Sequence, residues 1–196
     1  MTAFPTLLLA STSPHRQALL GRLGLPFTCQ VPGVDERDLA GETPPQRAAR
    51  LARAKAAAVA QRHPGAIVIG SDQVASLETG GSPRILHKPG HRANCLEQLR
   101  AMSGNIARFD TALAVMHGQT VIEHADVTLV RFRTLDDAAI ERYMDREPSF
   151  DCAGGFKCEG LGVTLFESVE TRDPTALIGL PLIALCAALR ELGVGV

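Results

Sequence analysis

The chain has 196 residues, of which 45% are hydrophobic and 21% are charged, and its formal net charge is −1 at pH 7. This length suits one sizeable core, or two lobes that share a sheet, and we expect a single domain over residues 1–196. The balanced charge argues against nucleic-acid-binding and membrane-surface proteins, which carry a basic face. The apolar N-terminal segment is too short to span a membrane and is interrupted at residue 11, which favours a cytoplasmic protein.

Apolar runs alternate with helical patterns along the chain. Strands are predicted at residues 7–10, 27–31, 66–70, 109–116, 121–132 and 164–169. Helices are predicted at residues 13–23, 43–62, 91–102, 135–145 and 181–192, with an irregular stretch at 78–89 and a glycine-rich loop at 151–162. The order predicts an α/β fold with a mixed, mostly parallel twisted sheet that is flanked by helices.

The five cysteines form an odd set without a C-x-x-C pair, which argues against a disulfide framework. A zinc site formed by Cys152, Cys158 and a histidine is disfavoured, because five residues of a glycine-rich loop separate the two thiols. We therefore expect the cysteines to be small buried residues in a reducing compartment.

The turn between the first strand and the first helix is rich in hydroxyl groups. Ser13 is a good N-cap and Pro14 suits the first helical position, so the unpaired N–H groups of the first turn can bind an anion near Ser11. Arg16 adds a positive charge just inside the helix. These groups complement the oxygens of a phosphate, although an ordinarily capped helix explains the same residues.

Asp72 follows the most apolar predicted strand, at the end where open α/β sheets place their ligands. Glu36, Lys55 and Lys88 are further charged candidates. Taken singly, Asp72 can be a turn residue, Lys55 a solvated helix residue, and the others loop charges. Together they match the needs of phosphoanhydride hydrolysis, which are cations for the phosphates, carboxylates for a hard metal ion, and a carboxylate that activates water.

Other nucleotide and hydrolase motifs are missing. The sequence has no G-x-x-x-x-G-K-[ST] loop and no G-x-G-x-x-G after the first strand, so P-loop and Rossmann chemistry are disfavoured. It also lacks the G-x-S-x-G pattern of a serine hydrolase.

The ordered set of short motifs resembles the Maf nucleotide pyrophosphatases over nearly the whole chain. The matching segments are Ser11-x-Ser13-Pro14-x-Arg16, Asp35-Glu36, Lys55-Ala56, Ser71-Asp72-Gln73, Lys88-Pro89, Ser103-Gly104 and Ala153-Gly154-x-Phe156. The resemblance implies a fold of two lobes with a central cleft, like that of inosine triphosphate pyrophosphatase, and a homodimer. It implies a divalent-metal-dependent enzyme, with Mg²⁺ or Mn²⁺, that splits a nucleoside triphosphate between its α- and β-phosphates.

The same resemblance implies roles for individual residues. Asp72 is expected to be the proton acceptor and, with Glu36, a metal ligand. Phosphate contacts are expected from Ser11, Arg16, Lys55 and Lys88.

Two segments, Ser71-Asp72-Gln73 and Phe156-Lys157-x-Glu159-Gly160, are similar to the branch of the family that acts on 7-methyl-GTP. His15, Gln73 and Glu159 fall at the specificity positions of that branch. A carboxylate at Glu159 can accept hydrogen bonds from guanine N1–H and NH₂ and favours the cationic methylated base; the alternative is a surface glutamate in a flexible loop. Two alternatives stay open: a pyrophosphatase for dTTP, UTP or another modified nucleotide, and a non-catalytic nucleotide-binding regulator of cell division.

Overall fold

The computed structural model describes residues 5–78, 81 and 83–196, and in these residues strands and helices alternate as an α/β protein. The strands are β1 (Leu7–Leu9), β2 (Phe27–Cys29), β3 (Ile67–Leu77), β4 (Arg84–Leu86), β5 (Ile106–His117), β6 (Thr120–Phe132) and β7 (Phe166–Glu170). The α-helices are α1 (Pro14–Gly21), α2 (Pro44–Ala60), α3 (Arg92–Met102), α4 (Asp137–Arg146) and α5 (Leu182–Glu191).

The strands form one sheet in the order β2-β1-β3-β5-β6-β7, and β4 pairs with β3. β1 runs parallel to β2 and to β3, with Leu8 opposite Thr28 and Val68. β4 is antiparallel to β3, and β7 is antiparallel to β6. The predicted mixed sheet flanked by helices is thus confirmed. The short connection before β4 explains one antiparallel pair, since a parallel return needs a long crossover.

Contacts divide the chain into two compact units, in agreement with the expected two lobes. The first unit contains the chain up to Gln73, Thr111–Asp126 and Asp173–Val196, and the second contains Val74–Asp110 and Val127–Arg172. Strands β3, β5 and β6 contribute residues to both units. The single domain over 1–196 and the central cleft stay predictions.

The first unit has an aliphatic core around its parallel strands. Leu9 and Ile69 are fully buried against Leu19 of α1 and Leu185 of α5. This core holds the segment before α1 and the middle of β3 in fixed positions, and both segments carry candidate site residues.

The second unit contains four phenylalanine rings in edge-to-face contact. Phe156 packs against Phe109, Phe132 and Phe166 with ring centroids 5.0–5.5 Å apart. The glycine-rich segment that supplies Phe156 lies close to other parts of this unit, as its composition predicts. Gly155 has φ +73°, and a Cβ at this position would lie 2.7 Å from Cys95 Sγ.

β3 is longer than predicted, and this corrects the expected position of Asp72. The strand continues to Leu77, so Asp72 and Gln73 lie within it and not beyond its end. Partners for the polar groups make this possible: Ser71 donates to main-chain carbonyls, and Lys55 contacts Asp72. The stretch predicted as irregular contains β4, and its residues 79, 80 and 82 lie outside the described residues.

None of the five cysteines forms a disulfide, but only Cys95 is buried: Cys29 is exposed and the other three are half-buried, which corrects the expectation that all five are buried. Burial raises the pKa of Cys95 to about 11 and, with nearby carboxylates, the pKa values of Cys152 and Cys158 to about 12. No helix in the described residues has both the length and the apolar character of a membrane span.

Candidate active site

The turn before α1 is a capped helix start in the first unit. Ser13 accepts a hydrogen bond from Arg16 N at 3.4 Å, and Pro14 occupies the first turn. Ser11 is buried, and its hydroxyl oxygen accepts a hydrogen bond from Ser13 N at 3.1 Å. The capping interpretation is therefore correct for the local structure. The contact of Ser11 with phosphate stays a prediction.

The ammonium group of Lys55 lies between two carboxylates. Lys55 Nζ is 2.6 Å from Asp72 Oδ1 and 2.8 Å from Glu36 Oε1. Lys55 and Asp72 are buried, whereas the side chain of Glu36 is 55% exposed. Lys55 is thus not a solvated helix residue, and Asp72 is not a turn residue. The three predicted charges meet at one point of the first unit.

A close approach of α2 to β3 makes the Lys55–Asp72 contact possible. A Cβ at Gly70 would lie 2.6 Å from Ala56 N and 2.9 Å from Ala56 Cβ. Glycine on the strand and alanines on the helix therefore allow the two backbones to come together. Lys55 precedes Ala56, so its side chain reaches Asp72, two residues beyond Gly70.

Two arginines of α2 hold the segment that carries Glu36. Arg47 Nη2 donates to the main-chain oxygen of Glu36 at 3.0 Å, and Arg47 also pairs with Asp38. Arg50 donates to the main-chain oxygen of Arg37 at 3.2 Å. These bonds fix the backbone at Glu36 although that segment has no regular secondary structure.

Arg16 belongs to the same group of charges. Burial lowers the pKa of its guanidinium, and the negative charges of Asp72 and Glu36 oppose that shift. An arginine stays protonated at neutral pH after such a shift. Its Nε donates to the main-chain oxygen of Gly179 at 2.8 Å. Asp72 and Glu36 thus act electrostatically on Arg16 and form ion pairs with Lys55.

Gln73 is attached to the segment that precedes α5. Its Nε2 lies 2.9 Å from Ala176 O, 3.0 Å from Leu177 O and 3.0 Å from Thr111 Oγ1. Thr111 in turn donates to Ala176 O. Among the described residues Gln73 Oε1 has no hydrogen-bond partner, so a ligand can approach Gln73 only as a donor to this oxygen.

The remaining predicted residues are placed separately. His15 is half-buried in the first turn of α1. Lys88 and Glu159 are exposed and belong to the second unit. The structure brings Arg16, Glu36, Lys55 and Asp72 together, and the roles of the others stay predictions.

The donor set at Lys55 suits a hard divalent cation. Mg²⁺ and Mn²⁺ prefer carboxylate oxygens, and Glu36 and Asp72 provide such oxygens on either side of Lys55 Nζ. In the described part of the chain Asp72 accepts a hydrogen bond only at Oδ1, so Oδ2 is available to a metal ion or a water molecule.

Sequence reasoning missed several residues of this site. The positions of Ser71, Thr111 and Gly179 depend on contacts between segments far apart in sequence. Nothing in the sequence around Arg47 and Arg50 distinguishes them from solvated helix charges. The segment Gly179-Leu180-Pro181-Leu182 carries no side-chain group that predicts its contact with Arg16.

Comparison with known proteins gives a consistent result. The Maf family model, described as Maf-like protein, matches residues 6–192. The chain belongs to the Maf family. This Maf-like protein is 54% identical over 189 residues to a 7-methyl-GTP pyrophosphatase of Xanthomonas oryzae, covering 96% of this chain and 97% of that protein. It is also 54% identical over 190 residues to a 7-methyl-GTP pyrophosphatase of Bordetella avium, covering 96% and 94%.

A solved structure of a HAM1 protein from Coxiella burnetii is a more distant likeness. It is 19% identical, the alignment covers 66% of this chain and 73% of that one, and the TM-score is 0.42.

Proposed function

We propose that this protein is a nucleoside triphosphate pyrophosphatase that hydrolyses 7-methyl-GTP to 7-methyl-GMP and pyrophosphate. Relatives that match nearly the whole chain carry that name. The observation on which the proposal rests is the buried Lys55–Asp72 pair with Glu36 and Arg16 beside it. This cluster combines phosphate-binding cations with carboxylates that can accept a proton.

In the proposed reaction water attacks the α-phosphorus. A bond forms between the water oxygen and the α-phosphorus, the bond from the α-phosphorus to the bridging oxygen breaks, and pyrophosphate leaves with the electron pair. Asp72 accepts a water proton on its carboxylate, of which Lys55 occupies one lone pair at Oδ1, so that the remaining lone pairs can take the proton and contact a metal ion. Later release of this proton to solvent restores the carboxylate.

The cations of the site bind the triphosphate. Lys55 has three N–H donors, of which two are directed at carboxylates, so one remains for a phosphate oxygen. Arg16 supplies a planar fork of donors that matches phosphate. Ser11 and Lys88 complete the proposed set of phosphate contacts.

Glu36 and Asp72 would hold Mg²⁺ or Mn²⁺. Such an ion would add positive charge beside the triphosphate. This charge is needed because Arg16 and Lys55 already face two carboxylates and cannot neutralise the phosphates alone.

His15, Gln73 and Glu159 are proposed to select the base. Gln73 Oε1 is a free acceptor for an N–H group of guanine. Glu159 would accept N1–H and NH₂ and attract the positive charge of the methylated ring. A cytoplasmic homodimer is part of the same proposal, and light scattering during gel filtration tests the oligomeric state.

A nucleotide panel tests the proposed function. Purified protein is incubated with Mg²⁺ and 7-methyl-GTP, GTP, dTTP or UTP, and mono- and diphosphate products are separated by anion exchange. We expect 7-methyl-GMP and pyrophosphate in equal amounts, with 7-methyl-GTP the preferred substrate. Preference for dTTP or UTP would assign the protein to the other substrate class, and binding without product would identify a non-catalytic nucleotide-binding protein.

A further inference from the structure

The main-chain oxygen of Gly179 contacts two side chains near the candidate site. It accepts a hydrogen bond from Arg16 Nε at 2.8 Å and lies 2.9 Å from Ser71 Oγ. Gly179 is buried and comes just before α5. This carbonyl therefore connects the start of α1 and the middle of β3 within the first unit.

The contact determines which nitrogens of Arg16 are left for a ligand. A guanidinium has five N–H groups, one on Nε and four on the two terminal nitrogens. With Nε bound to Gly179, the terminal pair is available for the two-point contact that arginine makes with phosphate. A long side chain fixed at both ends also loses less rotational freedom when the ligand binds.

The segment that carries this carbonyl is itself firmly held. Asp173 Oδ1 accepts hydrogen bonds from Thr175 N and Oγ1 at 2.9 and 2.6 Å, and Asp173 Oδ2 accepts one from Ile183 N at 2.7 Å. Thr175 Oγ1 accepts a further bond from Leu182 N at 2.8 Å. Asp173 and Thr175 thus cap the start of α5 and fix the loop that ends at Gly179.

We propose that the Gly179 carbonyl is a positioning group that orients the Arg16 guanidinium toward phosphate. The proposal rests on the function proposed above, in which Arg16 binds the triphosphate. Glycine is required because its φ is +121°, which other residues rarely adopt, so a side chain here would shift the backbone that carries the carbonyl; the added Cβ itself would be in ordinary contact with Arg16 Nε, 3.5 Å away.

A double-mutant cycle tests this proposal. Gly179→Ala is expected to lower kcat/KM about tenfold, mainly through KM, because it disturbs an oriented contact without removing the charge. Arg16→Ala is expected to cost about a hundredfold. The double variant should equal Arg16→Ala within a factor of about two, because Gly179 acts only through Arg16.

The control is Gly193→Ala, in the same unit. Gly193 has φ +79° and nothing within 4 Å of an added Cβ, so the substitution strains the backbone without touching Arg16. We expect kcat/KM within about twofold of the wild type for this control. The proposal would be overturned if Gly179→Ala and Gly193→Ala lowered kcat/KM equally. It would also be overturned if the double variant lowered kcat/KM by the product of the factors found for Gly179→Ala and Arg16→Ala.

A second variant and a binding measurement distinguish failure of the positioning role from failure of the proposed function. Should Gly179→Ala fail to fold, Ser71→Ala replaces it, because Ser71 is the other partner of the same carbonyl. The proposal then requires that Ser71→Ala lowers kcat/KM in the wild type but not in the Arg16→Ala variant. Binding of inorganic pyrophosphate by calorimetry does not depend on turnover. Absence of hydrolysis by the wild type would refute the proposed function, whereas pyrophosphate binding weakened by Gly179→Ala and not by Gly193→Ala would still support the positioning role.

Discussion

The first unit buries an ionic cluster at its candidate site, whereas the second unit is built around four aromatic rings. Lys55 and Asp72 are only 5% and 7% exposed, and Phe109 and Phe132 are 1% exposed. A buried ion pair adds little net stability because desolvation offsets its attraction, while packed rings stabilise strongly. The difference agrees with the function proposed above, in which the charges of the first unit serve chemistry while the rings of the second unit contribute stability.

Among the proposed substitutions, Asp72→Asn in the first unit is expected to have the largest effect, which is on activity. The amide keeps the shape of the side chain but cannot accept a proton from water, so pyrophosphate release from 7-methyl-GTP should fall about a thousandfold or more. The fold should persist, since Lys55 keeps Glu36 as a partner. Product formation and circular dichroism are measured together. Asp137→Asn, in an exposed pair with Arg100, is the matched control, and near-normal turnover by a folded Asp72→Asn protein would refute the role of Asp72.

Phe132→Ala tests the other side of the comparison. The ring contacts Phe156 and Phe166 in edge-to-face geometry, so its loss should lower the free energy of unfolding by about 3–5 kcal/mol. Urea denaturation followed by circular dichroism measures this change. Val127→Ala, on the same strand but 38% exposed, should cost far less. A loss from Phe132→Ala no larger than that of Val127→Ala would show that the rings are not the source of stability.

Gly70→Ala probes the contact that brings Lys55 to Asp72. The added methyl group meets the backbone of α2, so we expect a loss of about 1–3 kcal/mol in unfolding free energy, with reduced activity in the protein that remains folded. Gly21→Ala has open space around the new Cβ and should leave both properties nearly unchanged. Unaltered turnover by Gly70→Ala would mean that the spacing of α2 and β3 does not control the site.

Glu159→Gln has the smallest expected effect and concerns selectivity alone. Loss of the negative charge should reduce the preference for 7-methyl-GTP over UTP about tenfold, with little change in UTP hydrolysis. The ratio of the two kcat/KM values measures it. Glu167→Gln, an exposed residue of β7, serves as control. An unchanged ratio in Glu159→Gln would exclude base reading by this carboxylate.

The sequence predicted the α/β order and the first-unit charges, because apolar periodicity and residue chemistry are local signals. It placed the end of β3 at Gly70, since Ser71 and Asp72 are poor strand residues unless buried partners exist. Those partners are Lys55 and the carbonyls of Ala112 and Gly179, which lie far away along the chain. Long-range pairing of this kind leaves no periodic pattern, and the contact of Gly179 with Arg16 could not be predicted for the same reason.

The contact of Gly70 with Ala52 and Ala56 also matters for engineering. Neither surface has room for a larger residue, so a bulkier side chain on the helix cannot be compensated by trimming a strand residue that is already glycine. A chimera that exchanges α2 between family members should therefore carry β3 from the same parent, and libraries that randomise positions 52, 56 and 70 should recover small residues at all three.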